Sequence, residues 1–115
     1  MYSPVKFDEL IAEFYARESL ILGWKRGEYS PNADRLQNFR EVADFIGRTP
    51  SEVALTYLLK HVQSIKNAVT LHGRYNWTWE TEEGEGLKQR IADARNYLLL
   101  LAACIDEEAE KEGKL

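Results

Sequence analysis

Two short polar groups interrupt the apolar stripes of this sequence, where a plain helical bundle asks only for apolar side chains. The first is Lys60, His61 and Ser64, set among Tyr57, Leu58, Val62 and Ile65. The second is Arg90, Asp93, Asn96 and Tyr97, whose spacings of three or four keep them on part of one helical face. Asp93 and Asn96 can point into a cleft with His61 and Lys60 opposite. A third group, Lys25 and Tyr29 with Asn38 beyond, offers a cation, a ring on which a base could stack, and an amide. Each group also has a plainer reading. His61 can be a half-buried histidine bonded to a neighbour, and Lys60 a lysine lying along the surface. Arg90 and Asp93 at i, i+3 can be a surface pair worth only about 0.2–0.5 kcal/mol. Lys25 and Arg26 can complement the dipole at a helix end.

The elements that must position these groups are punctuated clearly. Ser3-Pro4 places a cap and then proline at a first helical position, where the missing N–H costs nothing. Leu10, Phe14, Leu20 and Ile21 recur at helical spacing after it, so a first helix is expected to about Trp24, stopping before Gly27. Ser30-Pro31 repeats the start signal. Leu36, Phe39, Val42, Ala43 and Ile46 form the next stripe, with Gly47 placed to end it in the left-handed conformation. Thr49-Pro50-Ser51-Glu52 reads as a capping box with proline at N1. The helix it opens carries Val53, Ala54, Tyr57, Leu58, Val62, Ile65 and Val69, and fades before Gly73. Residues 73–86 have no period and hold Trp77 and Trp79, which suit a core lid, an oligomer contact or base stacking. A last helix is expected from about Glu85, on Leu87, Ile91, Ala94, Leu98, Leu101 and Ile105, with residues 106–115 a solvated, fraying end. Four helices with mostly short connections predict an all-α, antiparallel four-helix bundle forming a single domain over residues 1–115.

Composition narrows the function classes. The 115 residues suit one core, 44% of them are hydrophobic, and the net charge of −4 argues against general binding to nucleic acid. The single cysteine, Cys104, excludes an internal disulfide and a cysteine zinc site, and its apolar neighbours mark it as a buried, inert thiol. The first residues lack the apolar core of a signal peptide, and no apolar run nears the ~18 residues of a membrane span. A cytoplasmic protein with no membrane association is expected. No glycine-rich phosphate loop, Gly-x-Ser-x-Gly or His-Glu-x-x-His is present, and nothing supports a catalytic triad.

A resemblance rests on a specific set of residues: Lys25-x3-Tyr29, Asp34-x3-Asn38-Phe39, the Gly-Arg-Thr-Pro turn, Tyr57-x2-Lys60-His61-x2-Ser64-Ile65, and Arg90-x2-Asp93-x2-Asn96-Tyr97. Over roughly residues 20–105 the chain resembles small phage and prophage helical proteins of the nucleotide-modification-associated type. Those are in turn similar to the MazG-like all-α nucleoside triphosphate pyrophosphatases. The MazG-like enzymes hold magnesium with Glu-x-x-Glu on one helix and Glu-x-x-Asp on a later one. Here Asp93 matches the final aspartate, Arg90 stands where its glutamate is expected, and the earlier helix offers Lys60, His61 and Ser64 instead. Hard oxygen ligands for magnesium are thereby replaced by cations that suit phosphate directly.

The resemblance implies a MazG-like core that binds a nucleotide or nucleotide-like signal without hydrolysing it and without a cofactor. Lys60, His61 and Arg90 would meet the phosphates, and Tyr29, Asn38 or a loop tryptophan the base. Lys25, Ser64, Asp93, Asn96 and Tyr97 would complete the site. A homo-oligomer is expected, from the commonness of dimers and tetramers in the fold class and the apolar length of the last helix. Two other readings stay open. One is a magnesium-dependent nucleotide hydrolase that joins Asp93 to Glu13 or Glu18. The other is an interaction protein that uses the tryptophan segment and has no small-molecule site.

Overall fold

The computed structural model describes residues 1–28, 34–70 and 86–114, with side chains throughout except those of 20–28. It contains α1 (Pro4–Glu28), α2 (Gln37–Ile46), α3 (Pro50–Thr70) and α4 (Leu87–Lys111), and no strand among the described residues. No helix among them is long and apolar enough to cross a membrane. The chain divides into two compact units, Met1–Ala33 and Asp34–Leu115.

The first unit is α1. Ser3 begins it as the sequence predicts: its Oγ accepts the Lys6 amide at 3.1 Å and its carbonyl accepts the Phe7 amide at 3.1 Å. The helix then passes Trp24, the expected end, and continues through Gly27 to Glu28. Glycine inside a helix costs only about 1 kcal/mol relative to alanine, so a glycine ends a helix only where the following backbone also turns.

The second unit begins with a turn. The Asp34 carboxylate accepts the Leu36 amide at 3.0 Å, and α2 starts at Gln37, six residues after the proline that had pointed to a start. Its far end follows expectation. Gly47 adopts φ 71°, ψ 39°, and the Arg48 amide returns to the Ala43 carbonyl at 2.9 Å, which satisfies carbonyls the helix leaves open. Any residue with a Cβ is strained at that angle.

α3 opens on a complete capping box. Thr49 Oγ1 accepts the Glu52 amide at 3.2 Å, and Glu52 reaches back to the Thr49 amide at 3.0 Å. The Thr49 amide, and the Thr49 hydroxyl that also donates to this carboxylate at 3.0 Å, hold the Glu52 carboxyl below its usual range, with Arg48 nearby adding a smaller contribution.

α3 and α4 run antiparallel. The start of α3 meets the end of α4 where the Ser51 amide donates to the Glu108 carboxylate at 3.0 Å, and further along His61 lies against Tyr97. α2 packs onto this pair. The buried centre is Phe39 and Ala43 of α2, Val53 and Ala54 of α3, and Cys104 of α4, flanked by Tyr57, Tyr97, Leu100 and Leu101. Phe39 touches both tyrosines, at centroid distances of 5.9 and 6.4 Å. Alanine at 43 and 54 places only a methyl group between the helices, so the aromatic rings fill the space beside them. Cys104 is buried in this centre, and burial pushes its thiol pKa up, as an inert thiol requires.

The acidic run after Ile105 departs from expectation. It does not fray: α4 continues to Lys111, and two of its carboxylates bind other helices. Glu107 accepts Arg40 Nε at 2.8 Å and pairs with the same guanidinium through its second oxygen, while Asp34 takes another arm of Arg40. Glu108 caps α3. Asp106, Glu110 and Glu112 remain exposed. Arg40 holds Glu107 and Asp34 below the usual carboxylate range, and its own pKa is raised in return.

Candidate functional site

Beyond the contacts of α2, the α3–α4 pair carries the polar residues singled out by the sequence. Tyr57 marks the boundary. From it, successive turns of α3 bring Lys60, then Ser64, then Asn67 to the same side. On α4 the matching positions run back from Tyr97 to Asp93, and from Asn96 to Gln89. Antiparallel packing sets these two polar series beside one another. Asn67 and Gln89 were not among the sequence candidates. The signal for both was present: each continues an i, i+3 or i+4 polar series past its neighbours.

Rings form the floor of the group. The His61 imidazole lies 4.7 Å from the Tyr97 ring at 30°, and Tyr57 meets Tyr97 edge-on at 6.1 Å. Burial pushes the Tyr97 phenol pKa up, and the charges of Tyr57 and Asp93 add to that. The Lys60 ammonium sits over the Tyr57 face at 5.6 Å while the lysine itself stays exposed. His61, Ser64, Arg90 and Asp93 are half-buried.

The pairing of these groups is uneven. Asp93 accepts a hydrogen bond from Gln89 Nε2 at 3.0 Å, one turn away. Neither Lys60 nor Arg90 has a carboxylate partner among the described residues. Asn96 is 8% exposed, and its amide nitrogen has no hydrogen-bond acceptor. Leaving a buried donor unpaired costs about 1–3 kcal/mol, so Asn96 is out of place as a purely structural residue.

His61, Tyr97, Lys60 and Tyr57 are joined by direct ring contacts, with Asp93 close enough to act on Tyr97. Asn38 is exposed on α2, and no contact joins it to them. The side chain of Lys25, with Tyr29, Trp77 and Trp79, lies outside the described residues. Chemically the group is rich in cations and poor in carboxylates. Between Glu52 and Thr70 α3 has no carboxylate, and α4 has only Asp93 before Asp106. No three histidine, cysteine, aspartate or glutamate side chains gather to hold a metal among the described residues. No family model, curated protein sequence or solved structure matches the chain.

Proposed function

We propose that the chain binds a nucleotide or nucleotide-like phosphate ligand at the His61–Tyr97 group and does not hydrolyse it. The observation that carries this reading is the local excess of cations over carboxylates, together with one buried amide that has no acceptor. Lys60 and Arg90 lack carboxylate partners among the described residues, and the Asn96 amide is buried with nothing to donate to. Phosphate oxygens supply the missing acceptors, and the aromatic floor suits a base or sugar face. The MazG-like resemblance agrees with this reading, as does the replacement of its acidic positions by Lys60, His61, Ser64 and Arg90. In that reading the four helices form a MazG-like antiparallel bundle, and the protein acts in the cytoplasm of a phage-infected or prophage-carrying cell.

Thermal denaturation with a panel of nucleoside mono-, di- and triphosphates, with and without magnesium, tests the proposal. A ligand that binds only the folded state stabilises it by about 2.7 kcal/mol at a hundredfold excess over Kd. A magnesium-independent rise in melting temperature, without release of phosphate or pyrophosphate, is the expected result. Turnover that requires magnesium would establish the hydrolase reading instead, and no shift with any nucleotide would remove the site. In a direct binding assay, Arg90→Ala weakens the nucleotide by about 10- to 100-fold, the effect of one charged hydrogen bond.

A further inference from the structure

The α3–α4 pair has a second flank that α2 does not use. Advancing one residue from the positions that face between the helices reaches Leu55, Leu59, Val62 and Val69 on α3, and Leu98 and Ile105 on α4. Their spacing of three, four or seven residues lines them along one side of each helix, with Lys66 between Val62 and Val69 on α3 and Arg95 one turn before Leu98 on α4. All six are exposed, by 44 to 56%. Complete burial of these half-exposed side chains would remove on the order of 500 Å² from one copy, the apolar part of the ~800 Å² per partner of a standard interface.

The charges on the same helices say what fits there. Lys88, Arg90 and Arg95 occupy the first half of α4, with Asp93 as its one carboxylate. Asp106, Glu107, Glu108 and Glu110 lie near its end with Lys111, while Glu112 just beyond pairs with Lys114 at 2.9 Å. This order opposes the helix dipole, which favours acidic groups at the start and basic groups at the end. α4 has no acidic residue in its first turn, and Lys111 is the one basic residue in its last. α3 does not compensate. Antiparallel packing sets its Lys66 near the basic half of α4 and its Glu52 near the acidic end. Among the described residues the pair therefore has one basic end and one acidic end.

A body with an apolar flank and opposite charges at its two ends is complementary to itself when reversed. We infer that this flank binds a second copy of the chain about a two-fold axis near Ala102, with α4 antiparallel to the partner's α4. Leu98 then lies against the partner's Ile105, and Arg95 approaches the acidic end of the partner's helix. The interface is isologous, so every contact occurs twice. It does not depend on the nucleotide reading, because none of the six apolar residues belongs to the His61–Tyr97 group.

Sedimentation across a range of protein concentrations tests the inference. The wild-type chain is expected to be dimeric, with a dissociation constant that rises with salt as the end-to-end attraction is screened. Leu98→Glu should give a monomer, and Arg95→Glu should raise the dissociation constant at least tenfold. Adding Glu110→Arg to Arg95→Glu should restore the dimer. Residues 95 and 110 lie about 22 Å apart along one helix at its ~1.5 Å rise, so that rescue requires two chains. Because the rescued variant carries both substitutions, failure to fold cannot imitate the result. A wild-type monomer at all concentrations overturns the inference, and so does a dimer indifferent to both single substitutions or a charge swap that restores nothing.

Discussion

At the start of α3 and the end of α4, where α2 packs, the ionic groups that join the helices are answered by partners. Arg40 binds Glu107 and Asp34, Thr49 and Glu52 cap one another, and Glu108 takes the Ser51 amide. Half the length of the pair away, the same helices present Lys60, Arg90 and Asn96 without such partners among the described residues. The first region spends polar groups on joining helices. The second keeps them for something outside the chain, which makes the contrast a better guide to function than either region alone.

The contrast can be broken most severely at its packed end. Phe39→Ala removes the ring that reaches both Tyr57 and Tyr97, and should cost about 3–5 kcal/mol in chemical denaturation. A loss under 1 kcal/mol would mean that the aromatic cluster does not hold α2 in place.

Arg40→Met tests the ionic part by its pH dependence. Glu107 and Asp34 have folded pKa values below their unfolded ones. Their contribution is therefore present above the ordinary carboxylate range and lost as pH falls through the depressed values. The variant should melt lower than wild type at pH 7, and the gap should narrow as the pH falls from about 5 towards 2. A gap that stays constant across that range would show that Arg40 acts only through packing.

A smaller effect is expected at the cap. Thr49→Ala removes the acceptor for the Glu52 amide and should destabilise by about 1 kcal/mol, read as a shift in the urea midpoint without a change in slope. The smallest effect belongs to the unpaired region. Asn96→Leu removes a donor that has no acceptor, so stability should stay within about 1 kcal/mol of wild type or rise. Nucleotide affinity, in contrast, should fall. A large destabilisation would mean that Asn96 is a structural residue after all.

Local signals made most of the fold legible. Gly47 and the Thr49-Pro50-Ser51-Glu52 run act over four or five residues, and the structure uses both as read. Signals that act at a distance were missed. Arg40 and Glu107 are 67 positions apart, and nothing in either neighbourhood indicates the other. A run of carboxylates reads as solvated because most such runs are, and only the arrival of α2 gives Glu107 its partner. The early end assigned to α1 came from treating glycine as a stop without the turn that must follow it. At the site, residue types and helical phase identified His61 and Tyr97 as polar-edged positions on their helices. That the two rings meet depends on the register between α3 and α4, which spacing within one helix does not contain.

The bond between Ser51 and Glu108 has a temporal side. These residues are 57 positions apart, yet one completes the start of the helix to which the other belongs only by contact. As the chain is made, the corner between α2 and α3 is synthesised early and stays open until the end of α4 arrives. The same is true of Arg40, which waits for Glu107. Closing this corner is a long-range event, of the kind that slows folding relative to the local winding of each helix. The last acidic turns of α4 thus act as a latch on the middle of the chain, and ribosome-bound intermediates that stop short of residue 107 should have α3 wound while Arg40 and the Ser51 amide still lack their carboxylate partners.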